Sequence, residues 1–129
     1  MENSKIEQYL IDMMLTYEQL DSNMWLLDDE DRTLQGVIVM QAESEVIIRT
    51  DIMDIPKNNL LELYTKLLEL NATDIFHGAY ALDRDNKKII LINTLHYETM
   101  DYDDFRTSLE AFSLALATHY PILSKFREK

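Results

Sequence analysis

Cysteine is missing from the 129 residues, which removes disulfide frameworks and thiolate chemistry together. Glycine occurs only at positions 36 and 78, too far apart for a phosphate-cradling loop or a dinucleotide fingerprint. Basic residues are scarce: 12 Lys and Arg against 24 Asp and Glu leave a formal net charge of −12. A surface of that sign repels phosphate backbones and anionic headgroups, so nucleic acid and bare membrane are poor partners. Long apolar runs are lacking too; Val37 to Met40 and Ile89 to Ile92 fall far short of the ~20 residues a spanning helix needs. The opening residues, Met1 to Lys5, carry an acid early and lead into mixed polarity, unlike an export signal. The expectation is a cytoplasmic chain.

What is present is enough for one core. With 47% apolar residues, a chain of this length buries roughly two-thirds of its unfolded surface and needs neither staples nor metal, so residues 1–129 read as a single domain. Ile6, Leu10, Met13, Tyr17 and Leu20 recur at helical spacing, predicting a first helix over about residues 4 to 20, stopped by the turn formers Asp21, Ser22 and Asn23. Three β-favouring runs follow, 24–27, 36–40 and 46–52, of which the last alternates apolar Val46, Ile48 and Ile52 with mixed neighbours.

Pro56 fits the start of a second helix bearing Leu60, Leu61, Leu63, Tyr64, Leu67, Leu68 and Leu70 and closing near Asn71. Its apolar stripe is wider than one sheet covers, which implies a second buried contact. Residues 75–82 and 88–95 form a hairpin across the polar turn 83–87. Asp101 is then a good N-cap, Met100 and Phe105 stand at staple positions, and Phe105, Leu109, Phe112, Leu116, Tyr120 and Leu123 mark a third helix with Pro121 as a bend or stop. The fold class is α+β, in the order α-β-β-β-α-β-β-α.

Reactive constellations are few. His77, His96 and His119 have no partner at ligand spacing, and the acidic stretches 28–31 and 83–86 lack the ordered ligands and central glycine of an EF-hand, so both read as turns and no metal is expected. None of the serines sits in a glycine-flanked nucleophile elbow, and no carboxylate pair is singled out by an apolar pocket. The residues point to a non-enzyme without catalytic residues or cofactor. Met13, Met14, Met24, Met40 and Met53 fill core gaps or line an adaptable surface, two readings that the sequence leaves open.

The stretch Leu60-Leu61-Glu62-Leu63-Tyr64-Thr65-Lys66-Leu67-Leu68-Glu69-Leu70-Asn71, followed by Phe76-His77-Gly78-Ala79-Tyr80-Ala81-Leu82-Asp83 and Lys88-Ile89-Ile90-Leu91-Ile92, resembles the type III secretion chaperone-like superfamily, which includes Tir-chaperone (CesT-like) and YbjN-like proteins. The shared features are a leucine-rich helix ending in Asn, a strand with a small-residue step, an acidic hairpin turn, an apolar strand and an Asp-rich cap before the last helix. The resemblance implies a small homodimer with a twisted antiparallel sheet packed by helices. It further implies a function as a chaperone or adaptor that holds an extended segment of a protein client or effector. Helix two would supply the dimer contact through Leu60, Leu63, Tyr64, Leu67 and Leu70. Client-binding candidates, chosen for their place on helix one and the early strands, are Tyr9, Met13, Trp25, Leu27 and Val39. A YbjN-like regulatory or ligand-sensing domain is the alternative.

Overall fold

Ser4 opens the first helix by accepting a hydrogen bond from the Glu7 amide, as an N-cap hydroxyl does. In this computed structural model, which describes residues 4–75 and 77–127, that helix, α1, runs only from Lys5 to Asp12. It ends in a Schellman turn: Met14 takes a left-handed backbone (φ 58°), its amide donates to the Ile11 carbonyl and the Leu15 amide to that of Leu10. The expected continuation to residue 20 is therefore corrected. Tyr17–Asp21 is an extra strand, β1, because hydrogen bonds to the following strand outweigh a helical spacing carried only by Tyr17 and Leu20.

The remaining elements are β2 (Met24–Asp29), β3 (Leu34–Ala42), β4 (Glu45–Asp54), α2 (Leu60–Thr73), β5 (Ala79–Asp83), β6 (Lys88–His96), α3 (Tyr102–Leu123) and a short 3-10 turn, Ser124–Phe126. All strands join one antiparallel sheet in the order β1-β2-β3-β4-β6-β5. The α+β class and the antiparallel sheet packed by helices are as the sequence implies. Pro56 is buried in the loop before α2, whose N-cap is Asn59. The start expected at Pro56 is thus late by about one turn.

Strand alternation sorts the sheet into two faces. One row of paired residues, Leu27, Val37, Thr50, Leu91 and Tyr80, and a second, Trp25, Val39, Ile48 and Asn93, face α3, to which Asn93 and Tyr80 hydrogen-bond through Ser108 and His119. With Ile6 and Leu10 of α1 and Phe105, Leu109 and Phe112 of α3 they make the core. The rows between, Leu26, Ile38, Arg49, Ile92 and Ala79, then Met24, Met40, Ile47 and Thr94, point to the opposite face. There the apolar side chains are only half-buried.

The start of α3 matches expectation closely. Asp101 and Asp104 form a reciprocal capping box, and Met100 and Phe105 are both buried at the staple positions. Pro121 does not stop the helix, which ends two residues later at Leu123; near a C-terminus the missing N–H removes a single bond. Lys5 ties α1 to the approach of α3 by donating to the carbonyls of Tyr97 (2.5 Å) and Met100 (2.8 Å).

Candidate functional site: an open sheet edge and its apolar flank

The two edges of the sheet are treated differently. At β5, α2 lies alongside the strand and the Asn71 carboxamide occupies the outward-facing backbone groups of Tyr80. Asn71 was expected to cap the helix; it sits one turn inside an α2 that continues to Thr73, and its side chain acts instead as a one-residue substitute for a neighbouring strand. At the other edge, among the described residues, β1 is paired on one side only, with β2. Its register slips between Gln19 and Asp21, leaving Leu20 as the bulged residue, 47% exposed. Ile11 (44%) on α1 and Met14 (83%) in the turn after it are exposed apolar side chains as well. An unpaired strand edge next to apolar side chains is a template on which another extended chain adds a strand.

The expected client-binding residues divide sharply. Met13, Trp25, Leu27 and Val39 are buried in the core, and only Tyr9 is half-exposed, its ring packed 5.6 Å from those of Tyr102 and Phe105. Those four side chains are packed into the chain's own core rather than displayed to solvent. The reason is parity. Shifting by one position along a strand changes face, and here both neighbours are apolar, so Met24, Leu26, Ile38 and Met40 take the outer face that Trp25, Leu27 and Val39 vacate.

The same sorting applies to α2. Leu63, Leu67 and Leu70 are buried in their own chain, Leu60 and Tyr64 are half-buried, and Leu61 (81%) and Leu68 (68%) stand in solvent. Within one chain, then, the wide apolar stripe has an inward half that is satisfied and an outward half that is not.

Electrostatically the chain is acidic, with a net charge of −12 and a few local ion pairs. Asn86, and after it Arg49 at 3.0 Å, hydrogen-bond Asp83 and hold its carboxyl below the ordinary range. Asp29, at the end of β2, accepts from the amides of Thr16 and Arg32 and so organises the turn read from the acidic stretch 28–31. Among the described residues no cluster of three or more His, Asp or Glu side chains is placed to hold a metal ion.

One arrangement has no counterpart in the sequence reading. His119, 2% exposed, lies between Tyr80 (Oη to Nδ1, 2.7 Å) and Asp74 (Nε2 to Oδ2, 3.2 Å), joining α3, β5 and the end of α2. Tyr120, expected on the apolar face, is instead 59% exposed. The two partners of His119 lie 39 and 45 residues away in sequence, so no local spacing reveals them.

A family model described as CesT_Tir_1 matches residues 1–129. No curated protein sequence matches the chain. Among solved structures, a chain of the heterodimeric ExoU-SpcU complex from the type III secretion system of Pseudomonas aeruginosa superposes with a TM-score of 0.71 at 15% identity, over 91% of this chain and 96% of that one. YbjN from E. coli superposes at 0.69 with 18% identity, over 91% and 89% of the two chains. A chain of the ExsC-ExsE complex gives 0.53 at 12% identity, covering 92% of each. No helix among the described residues is long and apolar enough to cross a membrane.

Proposed function

Because the chain belongs to the CesT_Tir_1 family, we propose that it is a non-enzymatic, protein-binding chaperone that holds an extended segment of a client polypeptide. The observation that carries this reading is the asymmetry of the sheet: the β5 edge is closed at Tyr80 by Asn71, whereas among the described residues β1 is left open, with Leu20 exposed on it. A client strand paired to β1 gains main-chain hydrogen bonds, and its alternate side chains lie against those of β1, the exposed Leu20 among them. Holding by shape and backbone pairing needs no nucleotide. Two of the similar folds were solved as complexes with other proteins, which supports a polypeptide partner.

The protein acts as a homodimer in the cytoplasm in this reading. Leu61 and Leu68, with Leu60 and Tyr64 at the margin, form the contact between copies, while Leu63, Leu67 and Leu70 hold α2 to its own core from behind. Covering two exposed leucines is worth roughly 3–6 kcal/mol per chain before the costs of association, so the face is a substantial driving force. The test is recovery of a polypeptide that co-purifies in fixed stoichiometry, followed by binding of its isolated segment to the purified chain. Leu20→Asp and Met14→Asp, both at exposed positions, are expected to abolish that binding while leaving the melting temperature in place. Unchanged binding by both variants overturns the reading.

A further inference from the structure

Charge is unevenly distributed along this chain. Residues 6–48, which build α1 and the first three strands, hold ten Asp and Glu against Arg32 alone, so −9 of the net −12 falls on this stretch. Arg32 turns its guanidinium to the Met13 carbonyl, at 3.2 Å. The ion pairs made by Arg49, Lys88 and Arg106 lie outside the stretch and leave its charge in place.

At the open edge this charge acquires a direction. Glu18 and Asp21 pair with Leu26 and Met24 of β2, two positions apart, so both stand on the outer side of the sheet, and both are exposed. Tyr17 and Gln19 pair with Leu27 and Trp25 and stand on the inner side. The Thr16 carbonyl accepts from the Asp28 amide, and by the alternation of an antiparallel ladder Glu18 is the next residue bonded to β2. The backbone groups of Tyr17 and Gln19 therefore point outward, toward an incoming strand. Opposite Glu18, an antiparallel partner places a residue in a non-hydrogen-bonded pair, the kind in which side chains approach most closely.

We propose that the client segment held at β1 is cationic: an extended strand with Lys or Arg at alternate positions, set opposite Glu18 and Asp21, and with apolar residues between them on the side of the half-buried Tyr17. It rests on the client-holding reading and names the client's chemistry. Opposite charges that face each other across strands stabilise the pairing and like charges weaken it. A stretch of −9 also draws a cationic segment in from a distance, which raises its rate of encounter. The same charge turns away a second copy of this chain, because joining β1 to β1 brings two such stretches together, and so it keeps the edge for a client.

The test is an amide NMR titration of the full chain with three short peptides, blocked at both ends, in which valine alternates with lysine, glutamine or glutamate. The lysine peptide is expected to shift the amides of Tyr17–Asp21 and to bind about tenfold more tightly than the glutamine peptide, the gain from two opposed charge pairs, with the glutamate peptide weakest. About 0.5 M NaCl should remove most of that difference. Glu18→Lys with Asp21→Lys reverses the order of the peptides. Glu69→Lys with Asp85→Lys, an equal change of net charge at exposed positions on α2 and the β5–β6 turn, keeps it. Equal binding of the lysine and glutamine peptides at β1 overturns the cationic client and leaves holding at the edge intact. Shifts from the lysine peptide that miss β1, or an order that the second pair of substitutions reverses as readily as the first, overturn the proposal in favour of diffuse attraction. Failure of all three peptides to reach β1 overturns the open edge as the holding site, and the proposal with it.

Discussion

The side-chain amide of Asn71 meets both main-chain polar atoms of Tyr80: the Tyr80 N–H donates to Oδ1 at 2.7 Å, and Nδ2 donates to the Tyr80 carbonyl at 3.2 Å. One carboxamide thereby stands where a seventh strand would pair. Asn71→Ala is expected to lose about 2 kcal/mol, the sum of two net hydrogen bonds, and to promote association through the exposed β5 edge. Asn71→Asp keeps the acceptor but turns a carboxylate toward a carbonyl, and falls at least as far. Urea unfolding followed by the fluorescence of Trp25, the only tryptophan, measures both; an unchanged midpoint would refute the edge-closing role.

The two glycines separate by their surroundings. Gly78 has φ +108°, and a Cβ there would lie 2.8 Å from the Ile92 carbonyl oxygen and 3.3 Å from Phe112, so β5 must move away from β6. Gly36 has φ +73° with nothing within 4 Å of such a Cβ. Gly78→Ala is expected to cost about 3 kcal/mol and Gly36→Ala about 1 kcal/mol, backbone strain alone. Equal melting temperatures for the two variants would contradict the assigned packing.

On α2 the two halves of the leucine stripe give opposite phenotypes. Leu61→Asp and Leu68→Asp, in solvent, should leave the fold intact and turn a dimer into a monomer in sedimentation velocity. Leu67→Asp, 5% exposed in its own core, should unfold the chain at a cost of about 3 kcal/mol or more. A dimer that survives both outer substitutions places the contact elsewhere.

Acid stability carries the mark of Asp83. Its carboxyl titrates below the ordinary 3.8, held by Asn86 and then by Arg49, so its contribution is complete above that value and disappears as pH falls through the lower folded value. Asp83→Asn is therefore less stable than the parent at neutral pH, and the gap closes below about pH 4 in urea titrations. A gap that stays constant down to pH 2 would show that Asp83 does not titrate in this way.

How far the fold was legible in the sequence varies by residue. The Asp101 cap and the Met100 and Phe105 staple are local signals and form as read, and the hairpin across 83–87 forms with a first strand that begins only at Ala79 rather than at residue 75, Phe76 lying outside the described residues. The resemblance to the type III secretion chaperone-like superfamily agrees with the matching family model and the shared fold. The errors of face and of element type come from positions whose hydrophobicity fits two readings. Tyr17 and Leu20 fit a helix and a strand alike. Trp25 and Leu26 are both apolar, so nothing in their order says which faces the core, and Leu67 and Leu68 pose the same question on α2. The His119 arrangement depends on residues brought together from distant parts of the chain, and no spacing in the sequence encodes it.

Hydrogen exchange on the purified chain, with and without a co-purified client segment, addresses the central claim most directly. Client holding at the open edge predicts that amides of Tyr17–Asp21 slow on binding while those of β5, already closed by Asn71, keep their rates. Bound client with unchanged β1 exchange, or protection confined to β5 and α2, would contradict it.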